Sequence, residues 1–202
     1  MAEREPTNSP TRWLPALAGL AGLSWALAIG MVIGVDLARG PNLLSPLHLI
    51  FHAVALITGI ITFWPLERWL GLPGLTVEGT LGGWLLLTTI AIVPAPTGSL
   101  LDPPDTPVYA LMLFAVFLSV AAIVRPVIAV LSRRWLALKA WAHDNRRVRR
   151  ESYEVGIFVA AALALAALRA LDPIKLVALA VIVVLVEIIL LSLIGVDTAE
   201  RA

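Results

Sequence analysis

The chain has 202 residues and a mass of 21.6 kDa; 59% of its residues are hydrophobic, 14% are charged, and mean hydropathy is +0.91. Soluble domains carry about 45–50% apolar and about 25% charged residues, and a fold of this length cannot hide the excess from water. A formal net charge of +1 gives no support to general nucleic-acid binding, and zero cysteines exclude disulfides, thiolate metal sites, iron–sulfur clusters and cysteine nucleophiles.

The composition is that of an integral membrane protein, and the sequence predicts an all-α, polytopic helical bundle. The polar opening segment, residues 1–13, reads as a tail without packing of its own. A cleaved signal peptide is not expected, because the first apolar run is long and its front is not basic. Six runs are apolar enough to cross about 30 Å of hydrocarbon. They are Leu14–Leu37, Leu47–Trp64, Leu75–Val93, Val108–Leu131, Val155–Leu171 and Ile174–Ile194. In domain terms, residues 14–131 hold spans one to four and 132–152 form a basic amphipathic cytoplasmic segment. Residues 153–195 are a C-terminal transmembrane hairpin, and 196–202 are a tail.

Small residues recur every four positions in the first span, at Ala18, Gly22, Ala26, Gly30 and Gly34. Such spacing lets helix backbones approach closely in lipid, within the bundle or against a second copy. The second span opens with Ser45-Pro46, a capping pair, and carries His48 and His52 on one face with Ala55, Gly59 and Thr62. Two imidazoles at i and i+4 have the spacing to share a metal, or for one to ligate haem. The competing reading is two histidines hydrogen-bonding near the interface. The third run is short for a crossing, because Glu78, Gly79, Gly82 and Gly83 dilute its start. It crosses tilted, with local thinning, or as a partly re-entrant segment; Gly79 and Gly83 repeat the packing spacing of the first span.

The connection Pro94–Pro107 has five prolines and two aspartates and is expected to be extended and solvent-facing. Arg125 lies just before Pro126 in span four, and Glu187 lies deep in span six among Val183, Val184, Leu190 and Leu191. Counted at about 1.5 Å per residue from their outer ends, they fall roughly 26 and 20 Å deep, so Arg125 is the expected partner of Glu187. An intramembrane carboxylate is a functional candidate, here as a proton or ion relay or as a structural ion pair. Gly156, Ala160 and Ala164 form a third small-residue row, and Asp172-Pro173 is expected to cap the last helix.

Orientation follows the basic residues. Arg133, Arg134, Lys139, Arg146, Arg147, Arg149 and Arg150 fall between spans four and five, whereas the opposite loops hold only Arg39, Arg169 and Lys175. Positive charge is retained inside, which places both termini in the cytoplasm of a prokaryotic inner (plasma) membrane. The tripeptide Arg-Trp-Leu occurs at three inner boundaries, so Trp13, Trp69 and Trp135 are read as headgroup anchors. The basic segment is expected to lie on anionic lipid, at about 1 kcal/mol per basic residue.

The chain shows no nucleophile set, phosphate loop or hydrolytic zinc helix, and it is read as a non-enzyme. The function expected first is a scaffold or accessory subunit of a membrane complex. The alternatives are a small transporter or channel using Glu187 and Arg125, and a metal- or haem-binding protein through His48 and His52. No cofactor is predicted beyond that last alternative. The partners expected are the bilayer and its anionic lipids, with a membrane protein or a second copy as further candidates.

Overall fold

The computed structural model describes residues 14–35, 37, 45–135 and 145–199. These residues are helical apart from turns and short connections, with no strand among them, and divide into two compact units at Val93/Pro94. Four helices are long and apolar enough to cross a membrane: Pro15–Gly34, Pro46–Leu70, Leu75–Ile92 and Thr106–Arg134. A helical membrane protein is the class they fit.

The first unit contains α1 (Leu14–Gly34), α2 (Pro46–Leu70) and α3 (Leu75–Ile92). Ser45 caps α2 with extended backbone and a side chain that accepts from the His48 amide, and Pro46 follows at the first helical position, as the sequence indicated. Pro65 does not end α2, which runs on to Leu70. There Gly71 adopts φ 61° and Gly74 φ 86°, and these left-handed residues reverse the chain within one short turn. The Glu67 carboxylate spans that turn, accepting from Gly74 N at 3.2 Å and Thr76 N at 2.6 Å. It thereby places negative charge at the positive end of α3.

The glycines of α3 are contact points rather than weak spots in its apolarity. Gly79 lies against the Phe63 ring, and a Cβ on Gly59 would stand 2.7 Å from the Thr80 backbone, so α2 and α3 cross at backbone contact. At about 1.5 Å per residue, the 18 residues of α3 span about 27 Å as one uninterrupted helix. The core of this unit gathers Ala28, Phe51, Ala55, Leu87 and Ala91, with Trp25 and Trp84 packed at its margin.

The second unit contains α4 (Thr106–Trp135), α5 (Asn145–Ala167) and α6 (Pro173–Ala199). Helix α5 meets α4 through Gly156, where a Cβ would stand 2.8 Å from the Phe117 carbonyl oxygen and 3.3 Å from Ala121. Ala121, Ala122 and Ala129 of α4 and Val148 and Ser152 of α5 are buried. Pro126 lies within α4 without ending it. The α5–α6 turn carries Arg169 at φ 55° and ends on Asp172, whose Oδ1 accepts from Lys175 N at 2.8 Å as an N-cap. The capping expected for Asp172-Pro173 is present.

Two expectations need correction. The connection after Pro94 is exposed but not extended: Asp105 and Asp102 accept from the backbones of Gly98 and Ser99, each at 2.5 Å, and curl it into turns. The basic segment is not a separate piece at its far end, because α5 begins at Asn145 and runs unbroken from the arginines into the apolar half. Within the first unit, Ala18, Gly22, Ala26, Gly30 and Gly34 of α1 are exposed, and a Cβ on Gly22, Gly30 or Gly34 would meet nothing within 4 Å, which leaves the row as a face for a second copy, a partner or lipid. Helix α1 packs instead through Trp25 and Ala28. Trp13, Arg39 and Lys139 lie outside the described residues, as does the side chain of Trp135.

Candidate functional site

Two groups of polar side chains sit on otherwise apolar helices. In the first unit, His48 is almost fully buried at 1% exposure. Its Nε2 lies 3.0 Å from the Leu37 carbonyl oxygen, which can only accept, so Nε2 carries the hydrogen. Its Nδ1 lies 2.6 Å from Ser45 Oγ. His52 Nδ1 accepts from Trp84 Nε1 at 3.0 Å. The helix face of His48, His52, Gly59 and Thr62 therefore packs against neighbours: Trp25 Nε1 also donates to Thr62 Oγ1 at 3.0 Å. Both ring nitrogens of His48 and one of His52 have hydrogen-bond partners. A metal or haem at this pair would displace those bonds, and among the described residues no group of three or more His, Cys, Asp or Glu side chains is placed to hold a metal ion.

The second group is on α5 and α6. Arg150 Nη2 lies 2.6 Å from Glu187 Oε1, with the two side chains 30% and 20% exposed. Glu187 thus pairs with Arg150, not with Arg125 as depth counting along α4 suggested. Arg150 Nε stands 3.7 Å from Glu154 Oε1, so the Glu154 and Glu187 carboxyl groups flank the same guanidinium. One turn earlier on α5, Arg147 Nε donates to Glu151 Oε1 at 2.5 Å. Arg149 Nε donates to Tyr153 OH at 2.8 Å, and the Tyr153 ring packs on Phe117 at 5.5 Å.

Arg125 is 1% exposed and lies on the face of α4 turned to α5. Stepping one turn along each antiparallel helix from the Ala121–Gly156 contact brings Arg125 level with Ser152. The signal that identifies Glu154 was present in the sequence: it stands seventeen residues before Leu171, and Glu187 stands sixteen after it, so a hairpin folded there brings them level. Counting each span from its own outer end does not reveal this.

No family model, no curated protein and no solved structure matches the chain.

Proposed function

We propose that this chain is a six-span protein of a prokaryotic inner membrane that serves as a scaffold or accessory subunit of a membrane complex. The observation that carries this reading is where the polar side chains go. Trp25 with Thr62, Trp84 with His52, and Arg150 with Glu187 tie one helix to the next. The outward surface is apolar, with Leu23 at 71%, Ile33 at 81% and Ile174 at 82% exposure. Such a surface suits lipid or partner helices. The apolar half of α5 and most of α6 add the fifth and sixth spans to the four long apolar helices, which gives three hairpins with both termini in the cytoplasm.

In this arrangement Arg133 and Arg134 at the end of α4 and Arg146, Arg147 and Arg149 at the start of α5 meet the inner headgroups, while Arg150 turns to Glu187. Anionic lipid is their partner. The deciding experiment is native mass spectrometry of the protein drawn from its own membrane in mild detergent. A mass above integer multiples of 21.6 kDa identifies a partner subunit, whereas integer multiples alone overturn the accessory role.

A second reading, a small transporter, is favoured by the Glu154, Arg150 and Glu187 cluster. Charged groups in spans commonly mark ion or proton paths. Flux that survives Glu187→Gln removes that residue from any path.

A further inference from the structure

We propose that Glu154 and Glu187 hold one exchangeable proton between them, and that its release loosens α6 from α5. The proposal rests on the reading of α5 and α6 as a membrane hairpin.

The warrant is a set of oxygens and the donors they have. Glu187 Oε1 receives Arg150 Nη2 at 2.6 Å. Glu187 Oε2 and Glu154 Oε1 are buried and have no donor among the described residues, and Arg150 Nε is too far from Glu154 Oε1, at 3.7 Å, to serve. A carboxylate oxygen can only accept, so a proton held between these two carboxyl groups, which flank one guanidinium, supplies the donor that both oxygens lack. One proton satisfies both oxygens.

Charge leads to the same count. With the proton in place, one guanidinium faces one carboxylate and the cluster is neutral. When the O–H bond of the acid breaks and the proton passes to water, two carboxylates face Arg150 and one negative charge is unbalanced. Such a charge is costly beside lipid. The other charged groups around it are already placed: Arg147 is bonded to Glu151 on α5, and Arg125 of α4 sits level with Ser152 on the far side of α5. On α6, Asp172 and Lys175 pair with each other at the distant turn.

The mechanical consequence follows from how lightly α6 is held. None of its side chains among the described residues is fully buried; Leu179, Ala180, Val183 and Glu187 are half-buried along the α5 side. The polar cluster is therefore a large part of the attachment at this end.

The test uses the full chain in lipid nanodiscs. Infrared difference spectra are expected to show a protonated-carboxyl C=O band at neutral pH, shifted in D2O, that is lost in Glu154→Gln and equally in Glu187→Gln. Absence of the band from the wild type, or its survival in both variants, overturns the proposal. Should one variant fail to fold, the other carries the test. Spin labels at Ile157→Cys and Val184→Cys are expected to move apart in alkaline buffer, and to stay together when both carboxyls are amides. A distance indifferent to pH in the wild type overturns the release step. Failure of the underlying membrane reading shows separately, as a label at Val181→Cys reached by water-soluble rather than lipid-soluble quenchers.

Discussion

Trp84 Nε1 donates to His52 Nδ1 at 3.0 Å across the α2–α3 crossing, and Trp25 Nε1 donates to Thr62 Oγ1 at the same distance across α1–α2. One aromatic N–H from each outer helix thus reaches the central helix of the first unit. Hydrogen bonds between helices in lipid are worth about 0.6 kcal/mol on average. Trp84→Phe and Thr62→Val are each expected to destabilise the unit by about that much, and the double variant by about the sum, since the pairs share no partner. Denaturant titration in mild detergent measures all three. A loss above about 2 kcal/mol in either single variant shows that packing, not the N–H bond, dominates there.

His48 closes the connection between α1 and α2 by bonding Leu37 O, eleven residues back. His48→Ala leaves the buried Leu37 carbonyl without its imidazole donor, at about 1–3 kcal/mol, while Ser45 Oγ keeps the backbone amide of position 48. His48→Gln, which keeps a donor, is expected to recover part of the loss. If His48→Ala is as stable as wild type, the ring is not a structural tie, and the ligand reading of this pair regains weight.

Much of this architecture is legible in the sequence because lipid demands long apolar runs, and because Ser45-Pro46 and Asp172-Pro173 mark helix starts through local chemistry. What escaped was contact between helices. Gly79 reads as dilution of an apolar run until Phe63 is placed against it. The row from Ala18 to Gly34 has the spacing for close approach, yet α1 turns Trp25 and Ala28 inward, and the Trp25 ring fills the space where a Cβ on Gly83 would stand 3.4 Å from it. Arg150 was read with its basic neighbours as a lipid contact. Only the hairpin register shows that it faces Glu187.

Arg169 occupies the left-handed region at φ 55°, where a Cβ is disfavoured by roughly 1–2 kcal/mol. Arg169→Gly relieves this strain at the α5–α6 turn, while greater freedom in the unfolded chain offsets part of the gain. A net stabilisation of up to about 1 kcal/mol is expected by denaturant titration. A destabilised variant assigns Arg169 a side-chain contact worth more than the strain.

At the same turn, the Lys175 backbone N–H and then its ammonium group hold the Asp172 carboxyl below its ordinary value. A lowered folded-state value means that this contribution is fully present above the unfolded carboxylate range and is lost as pH falls through the folded value. The start of α6 is therefore expected to lose protection of its amides, measured against their intrinsic exchange rates, in strongly acidic buffer. Asp172→Asn removes the titrating group, and with it this acid step; an acid step unchanged in that variant assigns the loss to another group.

Glycines at Gly59 and Gly30 share a spacing logic but not a setting, and the pair separates packing within the chain from packing between chains. A Cβ at Gly59 stands 2.7 Å from the Thr80 Cα, which is backbone and cannot swing aside, so Gly59→Ala forces α2 and α3 apart. Overpacking of this kind costs about 1–3 kcal/mol. A Cβ at Gly30 meets nothing within 4 Å. Gly30→Ala is thus expected to leave the isolated chain as stable or up to about 1 kcal/mol more so, since alanine is the better helix former. The larger Gly30→Leu distinguishes lipid from protein on that face. If it leaves the purified chain folded but removes a companion mass from the native complex, the exposed row of α1 is the surface on which the partner sits; if the companion mass persists, that face meets lipid alone.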